Sequence, residues 1–189
     1  MKTGTTVLAV ACAAVFMAPS AAAAQATQAK ADTHCVANSD TEKVTCYDTF
    51  REAIAAATGG RITNASQEEA AQDKKFMDKL NAPADSPTAR AASSSSHILG
   101  ILYWDANYQG SSHLLLADSP CRDNSSWDFG WSTLYSTGFN DATSSIRTTG
   151  NCHMQVWEHA NYTGASEFYT TDQPSLGVLN DQITSIKVW

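Results

Sequence analysis

Apolar residues are spaced in three different ways along this 189-residue chain, and each spacing predicts a different structure. Residues 7–17 form one continuous apolar run behind Lys2 and ahead of Ala22-Ala23-Ala24. A charged start, a short apolar core and small residues at the cleavage point make a secretory signal. The run is well short of the roughly 20 residues that cross a bilayer. The pattern therefore predicts export, with cleavage after Ala24 or Ala26, and no membrane attachment afterwards. Over 49–80 the spacing becomes helical. Thr49 with Glu52, and Ser66 with Glu69, have capping-box spacing; they predict helices over 49–57, ended by Gly59-Gly60, and over 66–80, where Phe76, Met77 and Leu80 make one apolar patch. Ahead of them, residues 35–46 (CVANSDTEKVTC) place β-branched and polar residues on either side of Asn38-Ser39-Asp40, predicting a small hairpin.

Residues 81–96 are Pro, Ala and Ser with almost nothing to bury, and read as a linker. Beyond it the spacing is strand-like. Short runs at 98–104, 114–116, 145–147, 154–157, 167–169 and 183–189 are each bounded by Gly, Asn, Asp or Ser, and no window keeps a helical period. All five Trp and five of the six Tyr fall in 98–189, which is where a small core is expected. The chain thus divides into a signal peptide (1–24), a small, mostly helical N-terminal segment (25–80), a linker (81–97) and an all-β domain (98–189). The N-terminal segment is expected as an appendage that either docks on the β domain or stays free.

The β domain repeats itself. Residues 103–110 (YWDANYQG) precede 140–146 (NDATSSI), and residues 157–164 (WEHANYTG) precede 180–186 (NDQITSI). Tyr103 aligns with Trp157, Asn107 with Asn161, Tyr108 with Tyr162, Gly110 with Gly164, Asp141 with Asp181, and Ser145 with Ser185. Such ordered self-similarity means duplication and is read before any local propensity. Gly110 lies 30 positions before Asn140 but Gly164 only 16 before Asn180, so the first copy carries an insertion, placed within 118–136.

An aromatic, four residues, a second aromatic, one residue and a glycine, followed by Asn-Asp-x-x-Ser/Thr-Ser, resembles the βγ-crystallin family in its microbial calcium-binding form. The resemblance covers 98–189 and implies two Greek-key motifs in a crystallin-like sandwich. It also implies Ca2+ held by loop hydroxyls and carbonyls of one motif and a carboxylate from the hairpin of the other. Carried onto this chain, one site takes Asn140, Asp141, Ser144 and Glu158. The other takes Asn180, Asp181 and Thr184, but has Trp104 where the acidic hairpin residue belongs; Asp105 is the substitute, and this site is expected to be partial. Ser145 and Ser185 are expected to brace the loops. Calcium takes about six to eight oxygen ligands, which an Asn-Asp turn ending in hydroxyls can supply; the same residues also make self-bonded turns with no ion.

The insertion carries Trp127, Phe129, Trp131 and Tyr135 near Cys121. Exposed aromatics on a tethered loop suit protein recognition, while aromatics in a small domain equally cover the core. With Gly138-Phe139-Asn140-Asp141 and Cys152 downstream, the layout also resembles secreted bacterial proteinase inhibitors on this fold, implying a secreted metallo- or serine protease as partner. Cys12 leaves with the signal, so an even set of four cysteines remains in an oxidising compartment. Three pairings are possible; chain order favours Cys35 with Cys46 and Cys121 with Cys152. No C-x-x-C spacing suggests a cysteine metal site.

Charge and histidine placement narrow the function. Residues 98–189 hold three basic side chains (Arg122, Arg147, Lys187) against nine acidic ones, a net of −6. That argues against nucleic acid, which needs Lys and Arg to displace counterions. The five histidines are scattered, with no Gly-x-Ser-x-Gly and no His-Glu-x-x-His, so an enzyme is not expected. The expectation is an extracellular, calcium-binding monomer with a peptidase as possible partner.

Overall fold

The computed structural model describes Met1 and residues 31–82, 96–122 and 126–189. The expected signal peptide and residues 83–95 of the expected linker lie outside the described residues. Local sequence sets the first elements. β1 (His34–Asn38) and β2 (Val44–Tyr47) form an antiparallel hairpin, whose turn closes on Asn38 Oδ1, accepting from the backbone N–H groups of Asp40 and Thr41. α1 (Phe50–Ala57) starts at Thr49, whose hydroxyl accepts from Glu52 N and donates to the Glu52 carboxylate. The single helix expected over 66–80 is two: α2 (Gln67–Gln72) and α3 (Lys74–Leu80). Asp73 separates them. It is extended (φ −103°, ψ 107°), and its carboxylate accepts from Lys75 N, restarting the helix as an N-cap; aspartate competes with the helical backbone in this way.

Seven further strands follow: β3 (His97–Asp105), β4 (Gln109–Ala117), β5 (Phe129–Trp131), β6 (Ser145–Thr148), β7 (Met154–His159), β8 (Thr163–Tyr169) and β9 (Ser185–Val188). They make two sheets, ordered β2-β1-β4-β3-β6 and β5-β9-β7-β8. Each copy of the repeat is a Greek key that sends its third strand into the other copy's sheet. β5 leaves β3, β4 and β6 to pair with β9. In return Gln173 bridges Ile146 of β6. Trp131 opposite Ile186 thus corresponds to Gln173 opposite Ile146. Gly110 to Trp131 spans 21 positions and Gly164 to Gln173 spans 9, so most of the insertion precedes β5 and β5 itself belongs to the common architecture.

Two cores result. Between the sheets lie Leu99, Leu102, Leu115, Phe139, Ile146, Met154, Val156, Ile186 and Val188. On the outer face of the first sheet, Ile98, Ile101, Tyr103, Leu114 and Leu116 pack against Phe50, Ile54, Phe76, Met77 and Leu80 of the helices. β1 also adds to the edge of β4 in parallel register, Val36 opposite Leu114. Residues 31–189 are one compact unit; of the two arrangements open to the N-terminal segment, it is docked, and it supplies two strands and half of a core. The disulfides are Cys35–Cys46 and Cys121–Cys152, the pairing that chain order favoured.

Candidate functional site

The two Asn-Asp loops face each other across the pseudo-two-fold axis and exchange contacts. Asp141 N donates to Ile183 O (3.1 Å) and Asp181 N to Thr143 O (3.0 Å). Both aspartates hold left-handed backbone (φ 51° and 56°), a conformation Asp tolerates better than most residues. The neighbouring amides bind them, Asn140 Nδ2 to Asp141 Oδ2 (2.6 Å) and Asn180 Nδ2 to Asp181 Oδ2 (2.8 Å).

The hydroxyls cross over. Ser144 Oγ donates to Asp181 Oδ1 (2.8 Å), and Thr184 Oγ1 to Asp141 Oδ1 (3.3 Å). Sequence order groups Ser144 with Asp141 and Thr184 with Asp181; the fold joins each hydroxyl to the carboxylate of the other loop. Ser144 and Thr184 are buried, and Asn140 Oδ1 is a buried acceptor without a hydrogen-bond partner. The hairpin acids are turned elsewhere. Glu158 Oε2 accepts from Ala165 N (3.3 Å) in its own hairpin. The Asp105 carboxylate lies against Gly110, where an added Cβ would stand 2.6 Å from Oδ2.

Ser145 and Ser185 brace the hairpins. Ser145 Oγ accepts from Tyr108 N (3.0 Å) and donates to Asp105 O (2.6 Å); Ser185 Oγ accepts from Tyr162 N (3.1 Å) and donates to His159 O (2.6 Å). Both tyrosines are left-handed (φ 65° and 61°), costing each roughly 1–2 kcal/mol that these bonds help offset. Their rings fold edge-on to the first aromatic of the repeat, Tyr103–Tyr108 at 5.7 Å and Trp157–Tyr162 at 5.5 Å.

Oxygen donors of three kinds, one of them buried and unpaired, fit a hard cation such as calcium. Among the described residues no three His, Cys, Asp or Glu side chains converge, so neutral oxygens would supply most of the shell. The residues that would hold an ion are Ser144 and Asp181, with Asn180, on one side, and Thr184 and Asp141, with Asn140, on the other.

The four insertion aromatics divide evenly. Phe129 is buried and Trp131 half-buried against the core; Trp127 and Tyr135 are 52% and 66% exposed. Arg122 and Asp128 clamp the segment through Arg122 N to Asp128 Oδ2 and Arg122 Nε to Oδ1, both 2.7 Å. A cleft of about 220 Å3 runs between the β1–β2 hairpin and residues 130–137, with Glu42 its one titratable lining side chain. His113 is fully buried, with neither ring nitrogen hydrogen-bonded, and its pKa is pushed down to about 3 by desolvation. It packs in the core, its ring 4.9 Å from that of Phe139.

Residues 102–169 match the model of peptidase inhibitor family I36. No curated protein sequence matches the chain. Among solved structures, a βγ-crystallin domain from Clostridium beijerinckii is 28% identical, covering 48% of this chain and 97% of that one, with a TM-score of 0.38. One from Flavobacterium johnsoniae is 29% identical over 48% and 93%, with a TM-score of 0.37. The inhibitor match and the crystallin-like Greek-key pair are both non-catalytic kinds, in keeping with the two resemblances read from the motifs.

Proposed function

We propose that this chain is a secreted peptidase inhibitor on a crystallin-type Greek-key pair. The observation that carries the reading is the match of residues 102–169 to an inhibitor family, over a stretch that includes the disulfide-held segment with Trp127 and Tyr135 exposed. Large exposed aromatics make interface anchors. The test is the exported chain at equimolar dose against a thermolysin-like and a subtilisin-like peptidase. Stoichiometric loss of activity of either supports the reading; full activity of both removes it.

A second reading, calcium binding at the paired loops, is favoured by the crossed pairs Ser144–Asp181 and Thr184–Asp141 and by the unpaired Asn140 Oδ1. The ion would draw hydroxyl and carboxylate oxygens together and tie the two motifs. A ligand that binds only the folded state stabilises by RT ln(1 + [L]/Kd), about 2.7 kcal/mol at a hundredfold excess over Kd. Calorimetric titration with calcium of wild type and of Ser144→Ala with Asp181→Asn tests it. Absence of binding heat, together with melting indifferent to EDTA, would exclude it.

A further inference from the structure

The duplication supplies an internal comparison for a sheet face that the described residues leave open. On the first sheet the outward positions are Ile101, Tyr103, Leu114 and Arg147, with Tyr108 folded over them, and the helices cover that face. The corresponding positions on the second sheet are Gln155, Trp157, Phe168 and Lys187, with Tyr162 folded over. No element of the described residues covers these. Phe168 is 47% exposed and stacks on Trp189 at 5.0 Å.

Arg147 and Lys187 occupy equivalent places, and their surroundings differ in one respect. Arg147 lies over the Tyr108 ring (5.2 Å), bonds Asp172 Oδ2 through Nη2 (2.9 Å) and Nε (3.1 Å), and donates to Ala70 O of the covering helix α2. It is the polar fastening of an otherwise apolar cover. Lys187 Nζ lies over Tyr162 (4.4 Å), Trp127 (4.7 Å) and Trp157 (5.7 Å). Where the first sheet has Asp172, the second has Gly130, kept small because an added Cβ would stand 2.6 Å from Tyr162 Oη. Among the described residues no carboxylate pairs with Lys187. The rings hold its ammonium in place and partly shed its water, while leaving its donors unused. It is also the only one of the domain's three cations so placed, since Arg122 pairs with Asp128 and Arg147 with Asp172.

We propose that the outer face of the second sheet, centred on Lys187, Trp157, Tyr162 and Trp127, is a docking surface for the target peptidase, which brings a surface carboxylate to Lys187. This rests on the inhibitor reading and extends it. Trp127 belongs to the disulfide-held segment, so that segment and the sheet face form one continuous surface. The first sheet shows what such a face accepts: an apolar cover fastened by a cation to oxygen acceptors. Aromatic anchors around a charge that is desolvated on binding are the arrangement in which truncation costs most.

The experiment measures inhibition by the exported wild-type chain and by Lys187→Arg, Lys187→Gln and Lys187→Glu, with Lys75→Gln on α3 as a charge-matched control and melting curves to verify folding. Expected are near-wild-type inhibition by Lys187→Arg and Lys75→Gln, at least tenfold weakening by Lys187→Gln, and greater weakening by Lys187→Glu. Raising salt from 0.05 to 0.5 M should weaken wild type and leave Lys187→Gln nearly unchanged. If every variant inhibits like wild type, this surface is excluded while the inhibitor reading stands. If wild type inhibits neither peptidase, both fall. A concentration-dependent dimer abolished by Lys187→Glu would assign the face to a second copy and overturn the peptidase as occupant.

Discussion

Lowering the pH tests the second-sheet-facing core through a single imidazole. His113 on β4 is fully buried, its ring 4.9 Å from that of Phe139, with both nitrogens unpartnered. Burial pushes its pKa from 6.5 down to about 3. Between those values the unfolded chain binds a proton that the folded chain refuses, so stability is complete above about pH 6.5 and falls as the pH falls. Linkage gives a loss of about 2 kcal/mol at pH 5 from this group alone, of the order of a fifth to a third of a small domain's stability. His34, buried on β1 and also lowered mainly by desolvation, acts in the same direction. The variant His113→Leu isolates the one contribution, since all other groups titrate in both proteins. Urea unfolding followed by tryptophan fluorescence at pH 7 and pH 5 should show wild type losing about 2 kcal/mol more than His113→Leu, and the variant at least as stable at pH 7, because two unsatisfied nitrogens are gone. Equal losses in both would refute the reasoning, showing that the core admits water or a proton at His113.

Two other outcomes follow from the second core. Asp172→Ala leaves the Arg147 guanidinium, its side chain 5% exposed, without its carboxylate, and should cost about 3–5 kcal/mol, read as a lowered melting temperature. Phe76→Ala empties a site 3% exposed beneath the first sheet and should cost about 3–5 kcal/mol, seen as one earlier transition in both tryptophan fluorescence and far-ultraviolet dichroism; two separate transitions would show the helices melting apart from the sheets.

The duplication, the helix caps and the Cys35–Cys46 pair were legible because each is written in short spacings, and Cys121–Cys152 then followed as the remaining pair. Docking of the N-terminal segment was signalled less directly. Strand β3 reads HILGILYWD, a nearly continuous apolar run, whereas β7 reads MQVWEH, where Gln155 stands between the buried Met154 and Val156. A continuous run is the mark of a strand buried on both faces, and an alternating one of a strand with one face in water. The partner of that extra face could not be named, since parallel pairing of β1 with β4 joins residues 78 apart. The crossed hydroxyl-carboxylate pairs were hidden for a related reason: adjacency along the chain put Ser144 with Asp141, and only the two-fold arrangement of loops puts it with Asp181. The break at Asp73 reflects a competition between side chain and backbone that capping patterns alone do not resolve.

The traded third strand makes the two halves dependent on each other. Half of this β domain, made alone, would have β3, β4 and β6 in one layer and a β5 with no layer to join, and so could not close its own interior. Such a half would close only by pairing with a second half, each lending a strand to the other. In one chain the same exchange is a contact within a molecule, so each half closes the other's interior without depending on concentration.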